Sequence, residues 1–181
     1  MSKIEIPPME LVLRPFHQWD KGWFALTAGD FPAGKFNAMT VSWGSLGIMW
    51  GRPFAQVVVR PTRFTHRFTE ECGDFTLCAF PEPYRKALNI LGSKSGRDGD
   101  KIAAAGLTPV ASRFVASPAF AEAELILECR KMYVSKIDPA GFQDPAIEGN
   151  YSGGDYHRVY FGQVLRIFGE EKYVDHGLHG H

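Results

Sequence analysis

The chain has 181 residues, 45% hydrophobic and 22% charged, enough apolar side chain to bury the core of a single globular domain. Its 20 Lys and Arg balance 20 Asp and Glu, so no net field steers it onto nucleic acid or an acidic membrane, and neither partner is expected. Three cysteines (Cys72, Cys78 and Cys129) without CxxC spacing argue against a disulfide framework and a structural zinc site. With no apolar leader or spanning run, a cytoplasmic protein with reduced thiols is expected.

In chain order, residues 9–13 read as a first strand stopped by Pro15, and Trp23 to Ala28 as a second ending at Gly29-Asp30. After a Phe-Pro-Ala-Gly-Lys turn, Phe36 to Trp43 alternates as a strand. Gly44-Ser45 then makes a tight connection into Leu46 to Trp50. Phe54 to Arg60 is rich in β-branched residues and closed by Pro61. Phe64 and Phe68 stand four apart, which predicts a short helix with Thr62 as its N-cap, ending near Cys72-Gly73. Phe75 to Phe80 returns to strand. Pro83 opens a helix whose stripe is Tyr84, Leu88 and Leu91, and a polar loop from Ser93 to Gly99 leads to a short helix over Asp100 to Ala105. Two long strands, Glu122 to Ile137 and Tyr156 to Phe168, flank an irregular excursion from Asp138 to Gly154. Many strands and few short helices predict a mainly β barrel. Without βαβ alternation or GxGxxG, a dinucleotide-binding domain of the doubly wound type is not expected.

Three segments carry candidate chemistry. A helix start after Thr62, flanked by Arg60 and Arg63, would offer backbone N–H groups, a dipole and two planar cationic forks to an anion. The alternative is an ordinary capped helix with solvated arginines. Residues 37–43 (Asn37, Ala38, Met39, Thr40, Val41, Ser42 and Trp43) combine an amide, two hydroxyls on one strand face and free backbone with an aromatic ring, the donors and wall that a flat polar ring needs. A half-polar strand facing water would read the same way. Ser95, Gly96 and Arg97 sit in a charged loop whose glycines lack P-loop spacing, and Gly92-Ser93-Lys94-Ser95-Gly96 has no serine at its centre, so triphosphate and hydrolase chemistry are unsupported. The histidines of the tail, His176, His179 and His181, find no carboxylate or thiol at ligand spacing, and no metal is expected.

In this order and spacing, Asn37-Ala38-Met39-Thr40-Val41-Ser42-Trp43, Arg60-Pro61-Thr62-Arg63-Phe64-Thr65 and Ser95-Gly96-Arg97-Asp98 resemble the flavin reductase-like family, flavoredoxins included, from about Trp23 to Phe168. The resemblance implies an FMN-binding split barrel: one domain over 1–181 with its core at about 23–168. It implies a flavin phosphate at the junction after Arg60, with Thr62, Arg63 and Thr65, and the loop of Ser95, Gly96 and Arg97 folded over it. FMN is the implied cofactor, with FAD as an alternative, and NADH or NADPH as electron donor. The activity implied is NAD(P)H-dependent flavin reduction, passed to a second flavin or an acceptor protein. Electron transfer without nicotinamide, or plain flavin carriage, stays open. Split-barrel relatives work as homodimers whose partner completes the cleft. Related reductases carry Gly-Asp-His where this chain has Gly154-Asp155-Tyr156-His157, so His157, a weak candidate for substrate contact, is displaced by one residue.

Overall fold

The structure is a computed structural model and describes residues 3–177. Its strands are β1 (Ile4–Glu5), β2 (Phe24–Asp30), β3 (Lys35–Val41), β4 (Gly44–Met49), β5 (Arg52–Val59), β6 (Asp74–Ala79), β7 (Pro109–Val110), β8 (Ala119–Phe120), β9 (Leu125–Lys136) and β10 (Arg158–Gly169). The helices are α1 (Pro15–His17), which runs on into a wider turn over Gln18–Gly22, then α2 (Thr65–Glu71), α3 (Arg85–Ser93) and α4 (Lys101–Ala104). One antiparallel sheet runs in the order β3-β2-β6-β9-β10-β5-β4, with β1 added to β10. It is the mainly β architecture that strand alternation and short helices implied, in the split-barrel form that the resemblance implied.

Period-two alternation decides what each strand buries. Along β2, Phe24, Leu26 and Ala28 point into the barrel with Met39, Val41, Val57, Leu77 and Leu127. Ala25, between them, joins a second core on the outer face, where Leu88 and Leu91 of α3 meet Cys78, Phe120 and Ile126. Both faces of β2 are therefore covered, and its residues through Gly29 are buried. Ile6, Trp19 and Tyr173, outside the span 23–168, also belong to the barrel core.

Two connections position the site. β3 passes to β4 through Ser42-Trp43, and a Cβ at Gly44 would sit 2.4 Å from the Gln56 carbonyl and 2.4 Å from the Trp19 ring, so no other residue fits there. β4 and β5 form a hairpin with a two-residue loop, Trp50 at φ 52° and Gly51 at φ 68°, the double left-handed turn that matches strand twist.

Three expectations are corrected. Residues 9–13 form no strand. Pro7-Pro8 instead open a short 3₁₀ turn, Pro8–Glu10, and only Leu11 pairs, as an isolated bridge to Val174. Proline removes the N–H that a ladder would need. Thr62 does not cap α2, which begins at Thr65 after a turn closed by the Arg63 N–H on the Arg60 carbonyl; the N-cap position is Phe64, and no side chain caps it. The excursion after β9 is not shapeless: Asp138 and Asp144 each accept from a backbone N–H two residues on and start 3₁₀ turns over Pro139–Gly141 and Pro145–Tyr151.

Candidate functional site at the open edge of the barrel

Among the described residues β3 pairs only with β2, so no strand covers its other edge. The Ala38 carbonyl points to that edge and accepts from Thr65 Oγ1 at 3.3 Å. Thr65 in turn accepts the side-chain amide of Asn37 at 2.8 Å. Both Asn37 and Thr65 are buried, so this link fixes α2 against the strand. By antiparallel alternation the peptide groups of Thr40 and Ser42 face the same edge as Ala38.

The third segment closes on this junction. A Cβ at Gly96 would lie 2.6 Å from the Phe64 ring and 2.8 Å from Asn37 Oδ1, so the loop reaches the junction because residue 96 has no side chain. Arg97 donates to the Thr62 carbonyl at 3.2 Å and lies over the Phe64 ring, and Arg63 donates to the Gly92 carbonyl at 2.6 Å. Two guanidinium groups thus tie residues 62–64 to the segment 92–97. Ser95 Oγ accepts the Arg97 N–H at 3.2 Å. The N–H groups of Phe64 and Thr65 meet no acceptor among the described residues. Burial lowers the Arg63 pKa, which marks a guanidinium partly withdrawn from water.

Side chains of the first segment divide into two groups. Asn37, Ala38, Met39 and Val41 are buried and structural, and the half-buried Thr40 gives its hydroxyl to the Leu88 carbonyl on α3. Only Ser42 and Trp43 expose their side chains. The Trp43 ring lies 5.2 Å from the imidazole of His157, centroid to centroid. His157 is buried immediately before β10, its Nδ1 2.9 Å from the Tyr151 hydroxyl. Burial, and then the nearby Arg60 charge, pushes its pKa down to about 4, so it is neutral at pH 7.

Arg60 is engaged with the excursion. Its guanidinium donates to Asp155 at 2.7 Å and to the Asn150 carbonyl at 2.8 Å, and it lies 5.1 Å from the Tyr151 ring centre. Thr62 Oγ1 donates to the other Asp155 oxygen at 3.3 Å. The Arg60 hydrogen bond, ahead of every other effect, holds the Asp155 carboxyl below its usual range. Arg60 and Thr62 therefore hold residues 150–155, while Arg63 and Arg97 turn to the Gly92 and Thr62 carbonyls.

Lys101 escaped the sequence reading. It is buried, and its ammonium donates to the carbonyls of Leu91 at 2.9 Å and Lys94 at 3.2 Å, holding the end of α3 and the start of the Ser95 loop. Burial, and then Arg63, lowers its pKa to about 8. A lysine in the first turn of a helix opposes the helix dipole, and that contrast was the available signal.

Fold and site together define a split barrel with a cationic, donor-rich corner beside a strand edge that no other strand covers. The family model described as flavin reductase like domain matches residues 21–178, and the chain belongs to that family. It is 30% identical over 141 residues to an uncharacterized protein of Archaeoglobus fulgidus, covering 78% of this chain and 70% of that one. The flavoredoxin of Desulfovibrio vulgaris (Miyazaki F) superposes with a TM-score of 0.65 at 22% identity, covering 90% of this chain and 73% of that one. An FMN-binding domain of a flavin reductase-like enzyme from Shewanella baltica OS155 superposes with a TM-score of 0.67 at 16% identity, covering 100% of this chain and 84% of that one.

Proposed function

We propose that the chain binds FMN at this edge and works as an NAD(P)H-dependent flavin oxidoreductase. The observation that carries the reading is the junction itself: Asn37, Thr65 and Gly96 bring three distant segments together, leaving cations and free N–H groups at one end and an exposed aromatic wall at the other. The donor set fits the cofactor. The N–H groups of Phe64 and Thr65, the Ser95 hydroxyl and the Arg63 and Arg97 guanidinium groups would hold a phosphate; Arg60 and Thr62 would keep the strap of residues 150–155 closed beside it. Peptide groups of Thr40 and Ser42 would meet the polar edge of the ring, with Trp43 and His157 along its side. A flavin bound there would supply the two-electron, hydride-accepting chemistry, with a reduced nicotinamide as the donor. No side-chain acid or base is needed for that transfer, so the protein's part is to position both rings. The neutral imidazole of His157 suits a wall beside a ring and adds no charge there.

The same reading takes the protein as a cytoplasmic homodimer. Its three cysteines are free, and no helix is long and apolar enough to cross a membrane among the described residues. Ile48 and Met9 are exposed around an apolar groove lined by Leu11, Leu46 and Phe54, a surface suited to a second copy. Electrons would pass on to a second flavin or an acceptor protein.

Anaerobic mixing of the FMN-loaded protein with NADH, and separately NADPH, tests the reaction. Bleaching of the oxidised flavin band within the mixing experiment is expected with at least one donor. A flavin that binds tightly but resists both donors would instead favour an electron-transfer flavoprotein reduced by a protein partner.

A further inference from the structure

A cavity of about 610 Å³ lies away from this edge, lined by residues of the N-terminal segment, of α3 and of the segment around Tyr173. That size suits a small organic ligand. Its apolar lining includes Leu13, Phe80, Leu88 and Tyr173, with the exposed Val12 at its margin. Around the mouth stand Arg14, Lys21, Arg85 and Lys172, four cations, with His17 beside them.

Two carboxylates also line it, and they do not balance the cations. Glu124 is taken up by Lys172 at 2.6 Å and by the Tyr173 hydroxyl. Glu82 has no ion-pair partner among the described residues. Lys21 has an exposed partner in Asp20 at 2.9 Å. Arg14 has no ion-pair partner among the described residues, and Arg85 spends its fork on main-chain carbonyls of Lys21 and Gly22, so neither guanidinium charge is neutralised.

Arg85 is also held in place. Its guanidinium lies 3.8 Å from the centre of the Trp23 ring. Trp23 itself has φ 63°, a conformation that a bulky side chain rarely adopts, and the Gln18 amide clamps it by donating to its carbonyl at 2.6 Å. Backbone strain at a bulky residue persists only where its surroundings enforce it, and such strain collects at binding sites. Here it orients an arginine–indole stack beside the cavity mouth.

We propose that this cavity is a second binding site, for a small carboxylate with an aromatic or branched apolar body. The body fills the space between Leu13, Phe80 and Leu88, and the carboxylate meets Arg14 and Arg85 at the mouth. The site is separate from the proposed flavin edge but linked to it, because Leu88 lines the cavity and its carbonyl accepts from Thr40.

Calorimetric titration of the full-length protein with benzoate, without flavin and again with saturating FMN, tests this. The expected result is one saturable site per chain in both conditions, with benzamide, the neutral isostere, at least tenfold weaker. Arg14→Gln, an exposed substitution, should weaken benzoate about tenfold while leaving the melting temperature and FMN affinity unchanged. Should that variant fail to fold, the benzoate–benzamide contrast and its loss at high salt decide the question. Absence of saturable benzoate binding, equal binding of benzamide, or displacement of benzoate by FMN would each overturn the proposal. Failure of FMN to bind would leave the flavin-free titration standing on its own.

Discussion

The side-chain amide of Asn37 donates to Thr65 Oγ1 at 2.8 Å, a buried bond between an open-edge strand and the first residue of α2. Through it, residues 28 apart in sequence become one wall of the candidate site. Thr65→Val keeps the shape but leaves the Asn37 amide without its acceptor. A cost of about 1–3 kcal/mol follows from an unsatisfied buried donor. Urea unfolding should show a lower midpoint with an unchanged slope, and an unshifted midpoint would show that the bond does not anchor the helix.

The proposed phosphate site is tested by comparing FMN with riboflavin, which lacks the phosphate. Arg97→Gln removes a charged donor whose loss is worth about 1.5–3 kcal/mol, so FMN should weaken roughly tenfold or more while riboflavin changes little. Arg60→Ala should act through the strap, since Arg60 holds Asp155 and the Asn150 carbonyl, and should weaken both ligands. Parallel losses for Arg97→Gln would place the phosphate elsewhere.

Much of this was legible in the sequence, and the exceptions share a cause. β2, β3, β5 and β6 were readable because alternation and β-branching act locally. The helix stripe of Leu88 and Leu91 was readable for the same reason, and both are buried. Thr62 looked like an N-cap because local spacing cannot reveal that its hydroxyl finds Asp155, 93 residues on. Arg60 looked like a free anion ligand for the same reason. The one-residue displacement that separates Gly-Asp-His from Gly154-Asp155-Tyr156-His157 left His157 undecided. In the fold Tyr156 takes its hydroxyl to Glu148 in the excursion, and His157 turns inward to Tyr151 and Trp43.

That inward histidine makes stability depend on pH. Its folded pKa is about 4, whereas an unfolded histidine titrates near 6.5. Between those values the unfolded chain binds the proton and the folded chain does not. Stability is therefore fully present above about pH 6.5 and falls as the pH drops toward 4, by on the order of 3 kcal/mol at most from this group. His157→Gln should flatten the pH dependence of the urea midpoint in that window. An unchanged slope would show that His157 is accessible to protons in the folded state.

The homodimer is tested through Ile48, which is 59% exposed at the apolar groove. An obligate interface buries on the order of 2,000 Å² or more, so micromolar protein should sediment as a dimer. Ile48→Glu should shift it to monomer, since an unpaired charge would be buried at the contact. A wild-type monomer that binds FMN at full affinity would refute a shared cleft and leave the flavin assignment intact.

The most direct measurement is a titration of the purified apoprotein with FMN, followed by quenching of flavin fluorescence. Saturation at one FMN per chain, with a Kd of about a micromolar or tighter, is the expected result. Absence of saturable binding of either FMN or FAD to the folded protein would contradict the account at its centre.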